Sequence, residues 1–263
     1  MKFTLQRGLV RKSESAFTLV EIAISLAIIA FALVAIIGVL PLGLDVQKEN
    51  RQETIINQDA GYFMDAIRNG ARGLDDLTNY VFAITNSVQR YETTLTTTNP
   101  KGPPIIYGYS YFESRQDGGL TVPQYRLNYG SNIIGVLGTP KIIPNGPDFF
   151  FSNYVVAYVR ALSGSAVEKF PQTDKSVQDL AFRYRFVPEV SSLPAYEINS
   201  AYGKNLQANL NEVRLLFRWP LLPNWNAGNG RQVYRSLVAG SRTNEPPGSP
   251  LWFFQPTTFV NAP

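Results

Sequence analysis

The chain has 263 residues, of which 44% are hydrophobic, enough for one or two domains with a buried core. It contains no cysteine and no histidine, which excludes disulfides, thiolate nucleophiles and imidazole-based catalysis. Four of the 24 basic residues and one of the 20 acidic residues lie in residues 1–16, so the remainder carries 20 basic and 19 acidic residues. This near-neutral remainder argues against a nucleic-acid partner. We therefore expect neither an enzyme nor a bound cofactor.

Residues 1–16 form a basic leader, and a membrane-length apolar run follows it. The run extends from Phe17 to Leu40, and its one charged side chain is Glu21. A 24-residue helix is about 36 Å long, which is enough to cross a hydrocarbon core of about 30 Å. The run is longer than the roughly 7–15 apolar residues of a cleaved secretory signal. Because the basic residues precede it, we expect a cytoplasmic leader and an exported C-terminal domain.

A plain membrane anchor explains the length of the run but not Glu21, since an acid at the bilayer centre costs about 2.5–3.5 kcal/mol. The segment A-F-T-L-V-E, Ala16 to Glu21, resembles the cleavage signal of type IV pilins and type II secretion pseudopilins. That signal is a small residue, usually glycine, before Phe-Thr-Leu-x-Glu and an apolar run. The resemblance implies cleavage between Ala16 and Phe17 by a prepilin peptidase, followed by N-methylation of Phe17. Ala16 stands where the family usually has glycine.

The resemblance also implies that Glu21 acts in assembly. Phe17 and Glu21 are four residues apart, which is the spacing of neighbours on one helix face. In the family, the glutamate of an incoming subunit is thought to meet the N-terminal amine of a neighbour, and a paired buried carboxylate is tolerated where an isolated one is not. The implied partners are the prepilin peptidase, other pilin or pseudopilin subunits, an inner-membrane assembly platform and, before extraction, membrane lipid. The implied location is the bacterial inner membrane, single-pass with a periplasmic C-terminal domain, and then a periplasmic or surface filament.

Two helical segments are predicted in succession. A transmembrane and assembly helix is predicted over 17–44, with a helix break at Gly38 and Pro41, because proline removes a backbone donor. That break is either a kink or local melting within one helix, or a simple boundary between two. An amphipathic helix is predicted over about 45–69. Its apolar residues at helical spacing are Val46, Ile56, Ala60, Phe63, Met64 and Ile67.

The remaining chain predicts a pilin-like globular domain over 45–263 that is β-rich from 105 to 260. A short helix or turn is expected over 74–84. Strands are predicted at 105–112, 149–160, 179–187, 211–220 and 231–238, and the last two form a hairpin around the Pro-, Asn- and Gly-rich stretch 220–230. A further hairpin is predicted over 124–138, and loops over 93–104, 139–147 and 240–250. A long helix followed by an antiparallel sheet is an α+β fold, which the resemblance also implies.

Two finer interpretations concern the C-terminal domain. Its E-V-R-L, W-P and G-N-G-R-Q segments, together with L-P-L-G-L at 40–44, resemble minor pilins similar to the pilus-modification protein PilV and to the cassette prepilins of verrucomicrobia. An alternative function is that of a bitopic envelope protein whose β-rich domain binds a ligand or polysaccharide. The aromatic residues that are expected to be exposed and could stack on sugars are Trp225, Trp252, Phe253 and Phe254.

Other polar clusters have simpler explanations. Asp75-Asp76 and the asparagines at 224, 226 and 229 offer oxygen ligands, but calcium sites usually include several carboxylates, and turn chemistry explains the asparagines. The arginines at 183, 185, 214 and 218, interleaved with Tyr184 and Trp219, could contact DNA. Strand alternation would instead place them on an exposed, solubilising face of a sheet.

Overall fold

The computed structural model describes residues 17–93, 98–109, 114–116, 127–164, 182–193 and 200–261. The chain divides into two units, residues 1–51 and 52–263, and one helix, α1 (Leu19–Arg68), contributes to both.

In the first unit, α1 is apolar on all sides up to Leu40. It remains helical through Gly38 and Pro41, so neither residue ends it. Pro41 has no N–H to donate to the carbonyl of the preceding turn, and a kink or local melting at this point stays a prediction. Val46 was expected on the buried stripe of the amphipathic helix, but its side chain is 55% exposed.

In the second unit, α1 is amphipathic, as predicted. Its buried face carries Ile55, Ile56, Ala60, Phe63, Met64 and Ile67. The end near Gly70 is confirmed: the N–H of Gly70 bonds the carbonyl of Ile67 (3.1 Å) and the N–H of Ala71 bonds that of Ala66 (2.9 Å), a Schellman motif. Gly70 has φ of +53°, and a Cβ there would lie 2.2 Å from the carbonyl oxygen of Phe254. Only glycine fits at this position, where the helix ends.

The strands of the second unit form one large antiparallel sheet and one small sheet. They are β1 (Val81–Thr93), β2 (Thr98–Pro100), β3 (Ile105–Tyr109), β4 (Ser114–Gln116), β5 (Ile142–Pro144), β6 (Phe149–Arg160), β7 (Arg183–Ser192), β8 (Leu210–Leu221), β9 (Ala227–Ala239), β10 (Ser241–Asn244) and β11 (Trp252–Gln255). Within the described residues, the large sheet has the order β4-β3-β1-β6-β7-β8-β9, with β2 on β1 and β5 on β6, and β10 pairs with β11. In the described part of the chain, the remaining helices are a 3₁₀ helix (Asp75–Asn79), α2 (Gly130–Leu137) and α3 (Ala201–Asn209).

The core lies between α1 and one face of the large sheet. The ring of Phe63 on α1 is 4.8 Å from that of Phe186 on β7, which stacks at 5.0 Å on Phe217 of β8. On the opposite face, Arg218 and Val233 are exposed. A long helix packed on an antiparallel sheet confirms the α+β fold.

Several predicted strands are confirmed, with shifted ends. The stretch 149–160 is β6, in the middle of the sheet, and the hairpin of β8 and β9 has a loop of only 222–226, because both strands extend into the predicted loop. The predicted strand over 179–187 is β7, which begins at Arg183, and residues 179–181 lie outside the described residues.

Other predictions were wrong. The stretch 131–138 is not half of a hairpin: α2 occupies it, and residues 124–126 lie outside the described residues. The 3₁₀ helix Asp75–Asn79 confirms the short helix or turn expected over 74–84, but β1, which begins at Val81, was not predicted. Short strands β2, β5 and β10 lie within the three stretches predicted as loops. Each of these three short strands pairs with a neighbouring strand. Pairing with that strand therefore gives regular structure to segments that are rich in loop-forming residues.

Candidate assembly site at the start of the first helix

Thr18 and Glu21 form reciprocal hydrogen bonds at the first turn of α1. The backbone N–H and the hydroxyl of Thr18 both donate to Oε2 of Glu21, each at 2.9 Å. The backbone N–H of Glu21 in turn donates to Oγ1 of Thr18 at 3.3 Å. This reciprocal pattern is a capping box, with Thr18 as the cap and Glu21 as the third helical residue.

The capping box places the carboxylate where a negative charge is favourable. The first turn of a helix carries unsatisfied N–H groups and the positive end of the helix dipole. Thr18 was not among the predicted site residues. The signal was present, since T-L-V-E before an apolar run has the spacing of a capping box.

The predicted site residues are accessible for contacts with another molecule. Phe17 is 81% exposed, and Glu21 is exposed as well. Both Thr18 donors use Oε2 of Glu21, and no group in the described part of the chain donates to Oε1. Ala16 lies outside the described residues, so the cleavage point itself stays a prediction.

The apolar part of α1 is fully exposed. Among the described residues, α1 is the one helix long and apolar enough to cross a membrane, and none of its most apolar 18-residue window is buried. Soluble monomers rarely expose apolar patches larger than a few hundred Å². A helix of this kind requires lipid or neighbouring apolar helices around it.

A comparison with known protein families matches the same segment of the chain. A family model described as "Prokaryotic N-terminal methylation motif" matches residues 11–37. The chain carries a prepilin-type methylation motif. This motif covers the end of the basic leader, the residues of the capping box and most of the apolar run, and it supports a pilin-like, membrane-anchored structural protein that is processed by a prepilin peptidase. No curated protein and no solved structure matches the chain.

The aromatic residues considered for sugar binding do not form one exposed surface. Phe253 and Phe254 are buried in the core, which corrects the expectation that they are exposed. Trp225 is exposed, but its ring lies with those of Phe82 and Tyr158, at 5.6 and 5.3 Å, and not with the buried Phe253 and Phe254.

The oxygen ligands considered for calcium are engaged in local structure. Oδ1 of Asp75 accepts the backbone N–H of Gly130 at 2.9 Å, and Oδ1 of Asn224 accepts that of Asn226 at 3.1 Å. No three acidic side chains lie together as a metal site would require, as far as the described residues extend.

Proposed function

We propose that this chain is a minor pilin or pseudopilin, a structural subunit of a type IV pilus or a type II secretion filament. The observation that carries the proposal is a fully exposed apolar helix whose first turn lies within a prepilin-type methylation motif. In this proposal a prepilin peptidase cuts between Ala16 and Phe17, and Phe17 is N-methylated. The domain that follows the apolar helix lies in the periplasm before the subunit is extracted into the filament.

Assembly replaces lipid around the apolar helix with the helices of other subunits. Lipid tails are as apolar as leucine, so this exchange gains packing contacts but little hydrophobic free energy and does not by itself fix one axial position. An ion pair in a low-dielectric environment does fix a position, because an unpaired charge there is strongly unfavourable. Glu21 is suited to this role since Thr18 orients its carboxylate and leaves Oε1 available for the Phe17 amine of a neighbouring subunit.

The size of the subunit favours a minor one. Removal of residues 1–16 from the 263-residue chain leaves 247 residues, which is bulky for the repeating unit of a filament. The similarity to PilV and to the verrucomicrobial cassette prepilins stays a prediction, which the genes beside this one would test.

Substitution of Glu21 by alanine tests the proposal. We expect Glu21→Ala to be inserted, processed and folded normally, but its amount in the sheared filament fraction to fall tenfold or more. Loss of one partner of a buried ion pair typically costs about 3–5 kcal/mol, which exceeds the free energy of a tenfold change. The measurement is the ratio of filament to membrane-bound subunit on immunoblots.

Glu49→Ala is the matched control, because Glu49 is an exposed acid on the same helix beyond the apolar run. It should enter filaments as the native chain does. Native incorporation of Glu21→Ala would contradict the ion-pair mechanism.

A further inference from the structure

Three arginines lie side by side across β7, β8 and β9. Arg185 is directly opposite Arg218, and Arg218 is directly opposite Arg231. Directly opposite residues share one face of a sheet, and adjacent strands are about 4.7–4.9 Å apart, so this arginine row is about 10 Å long. It lies on the face away from α1, since Arg218 and Arg231 are exposed while their neighbour Phe217 is buried.

A second row on the same face contains charges of both signs. There Glu189 is opposite Arg214, which is opposite Arg235. Glu212 pairs with Arg214 at 2.7 Å and with Arg235, and Lys141 pairs with Glu189 at 2.9 Å. Hydrogen bonds from Arg214 and then Arg235 lower the pKa of Glu212. The charges of this second row are therefore balanced within the domain.

The arginine row has no such balance. Within the described part of the chain, no carboxylate pairs with any of its three guanidinium groups. Like charges directly opposite each other destabilise a sheet. A row of this kind costs stability in the free protein, and a bound anion would offset the cost.

An aromatic cluster adjoins one end of the row. Tyr158 on β6 is directly opposite Arg185, and its ring contacts those of Trp225 and Phe82. Phe82 lies at a register shift between Val81 and Ala83, which lets its ring join this face. Trp225 is 53% exposed and has φ of 66°, the one positive φ of a non-glycine residue among the described residues. A bulky residue in this conformation is strained, and the ring contacts hold the exposed indole in place.

We propose that the arginine row and Trp225 form a track for single-stranded nucleic acid, with phosphates on the arginines and a base stacked on the indole. Arginine presents a donor fork that matches phosphate geometry, and aromatic rings stack on any base. Arginine has no acceptor, so the row suits phosphodiesters better than hydroxyl-rich sugars, which also need acceptors. An acidic peptide would satisfy the arginines but would make no use of Trp225. This inference goes beyond the proposed function and does not depend on it. It revises the expectation, drawn from the near-neutral net charge and from strand alternation, that these arginines only solubilise the sheet, because the strand register concentrates three unbalanced positive charges in one row.

Binding of fluorescein-labelled oligothymidylate to the full chain in non-ionic micelles tests the proposal. We expect anisotropy to report binding whose log K falls linearly with log salt, with a slope near −2 for three phosphates at about −0.7 each. Arg218→Gln should lower the steepness of that slope by about 0.7. Trp225→Ala should weaken binding roughly 5- to 150-fold, because a stacked base contributes about 1–3 kcal/mol.

Arg235→Gln is the matched control. It removes one positive charge from the same sheet face but from the balanced row, and Arg214 remains to pair with Glu212. The slope and affinity of this variant should be native. The proposal is overturned if Arg235→Gln weakens binding as much as Arg218→Gln, if polyglutamate or polygalacturonate competes as well as oligothymidylate at equal charge, or if nothing binds at low salt. Arg218→Gln should melt at or above the native temperature, and a lower melting temperature would show an internal partner and also overturn it.

Discussion

At the scale of single residues, the carboxylate of Glu21 caps α1 and, in the proposed assembly, would also pair with a second subunit. Its Oε2 caps α1 within the subunit, and Oε1 is available to a second subunit. The cap also offsets part of the cost of an acid at the head of an apolar helix, because the first turn favours a negative charge. Thr18 is therefore a positioning residue for the proposed assembly contact.

Removal of the Thr18 hydroxyl should loosen the start of the helix. Thr18→Val keeps the shape of the side chain but loses both hydroxyl contacts, and loss of such a cap costs about 0.5–2 kcal/mol. We expect the amide of Glu21 to exchange with solvent about twofold to thirtyfold faster, as measured by NMR on the full chain in micelles. Thr18→Ser, which retains the hydroxyl, should exchange at the native rate. Equal exchange in the two variants would show that the capping box does not hold this turn.

At the scale of elements, a buried carboxylate joins α1 to the large sheet. Asp59 accepts hydrogen bonds from the backbone N–H of Leu162 (2.9 Å), the hydroxyl of Ser163 (2.6 Å) and the hydroxyl of Tyr184 on β7 (2.8 Å). Its residue is fully buried, and this burial raises the pKa of Asp59 although the hydrogen bonds act in the opposite direction. The helix is thus fixed on the sheet by a polar contact as well as by apolar packing.

The raised pKa of Asp59 predicts a pH-dependent stability. The folded state binds more protons than the unfolded state between the ordinary and the raised pKa values. The contribution is therefore complete below the ordinary aspartate pKa and is lost as pH rises through the raised one. Asp59→Asn can keep an acceptor for Leu162 and Tyr184 but does not titrate. In urea unfolding at pH 4 to 7, we expect the stability of the native chain relative to Asp59→Asn to fall with rising pH, and a constant difference would contradict the raised pKa.

The elements that the sequence predicted are those with a one-sided apolar pattern. The helical spacing from Ile56 to Ile67 was sufficient, because one face packs on the sheet. In β1 the pattern is broken by a buried polar pair: the side-chain amide of Asn86 donates to Oδ1 of Asn153 on β6 at 3.1 Å. The burial of such a strand cannot be predicted from its own sequence, because the buried polar residue depends on a partner from another strand.

The helix α2 was missed for a different reason. Its residues are buried nearly all round, and an apolar run of this length does not distinguish a helix from a strand. The glycines at its two ends serve close packing: a Cβ on Gly130 would lie 1.9 Å from the carbonyl oxygen of Leu74, and one on Gly138 would lie 2.3 Å from that of Trp252. These contacts come from distant parts of the chain and are not visible in the local sequence.

At the scale of the whole molecule, the two units differ in the surroundings that they require. The described part of residues 1–51 exposes apolar side chains up to Leu40, whereas residues 52–263 enclose a core of their own. The segment that carries the prepilin-type motif was predictable because its signals are contiguous in sequence, from Ala16 to the end of the apolar run. The arginine row was predictable only in part. Arg185 and Arg218 were among the arginines expected on an exposed face, but their alignment with Arg231 depends on the register of three strands.

The intact mass of the chain after co-expression with a prepilin peptidase tests the central claim most directly. We predict a mature chain that begins at Phe17, lacks residues 1–16 and carries one added methyl group at its N terminus, as tandem mass spectrometry would show. Ala16→Gly, which restores the residue usual at this position, should be cut at least as completely. An intact Met1 in the presence of active peptidase, or a cut beyond Leu40, would contradict the assignment of this chain as a prepilin-like subunit.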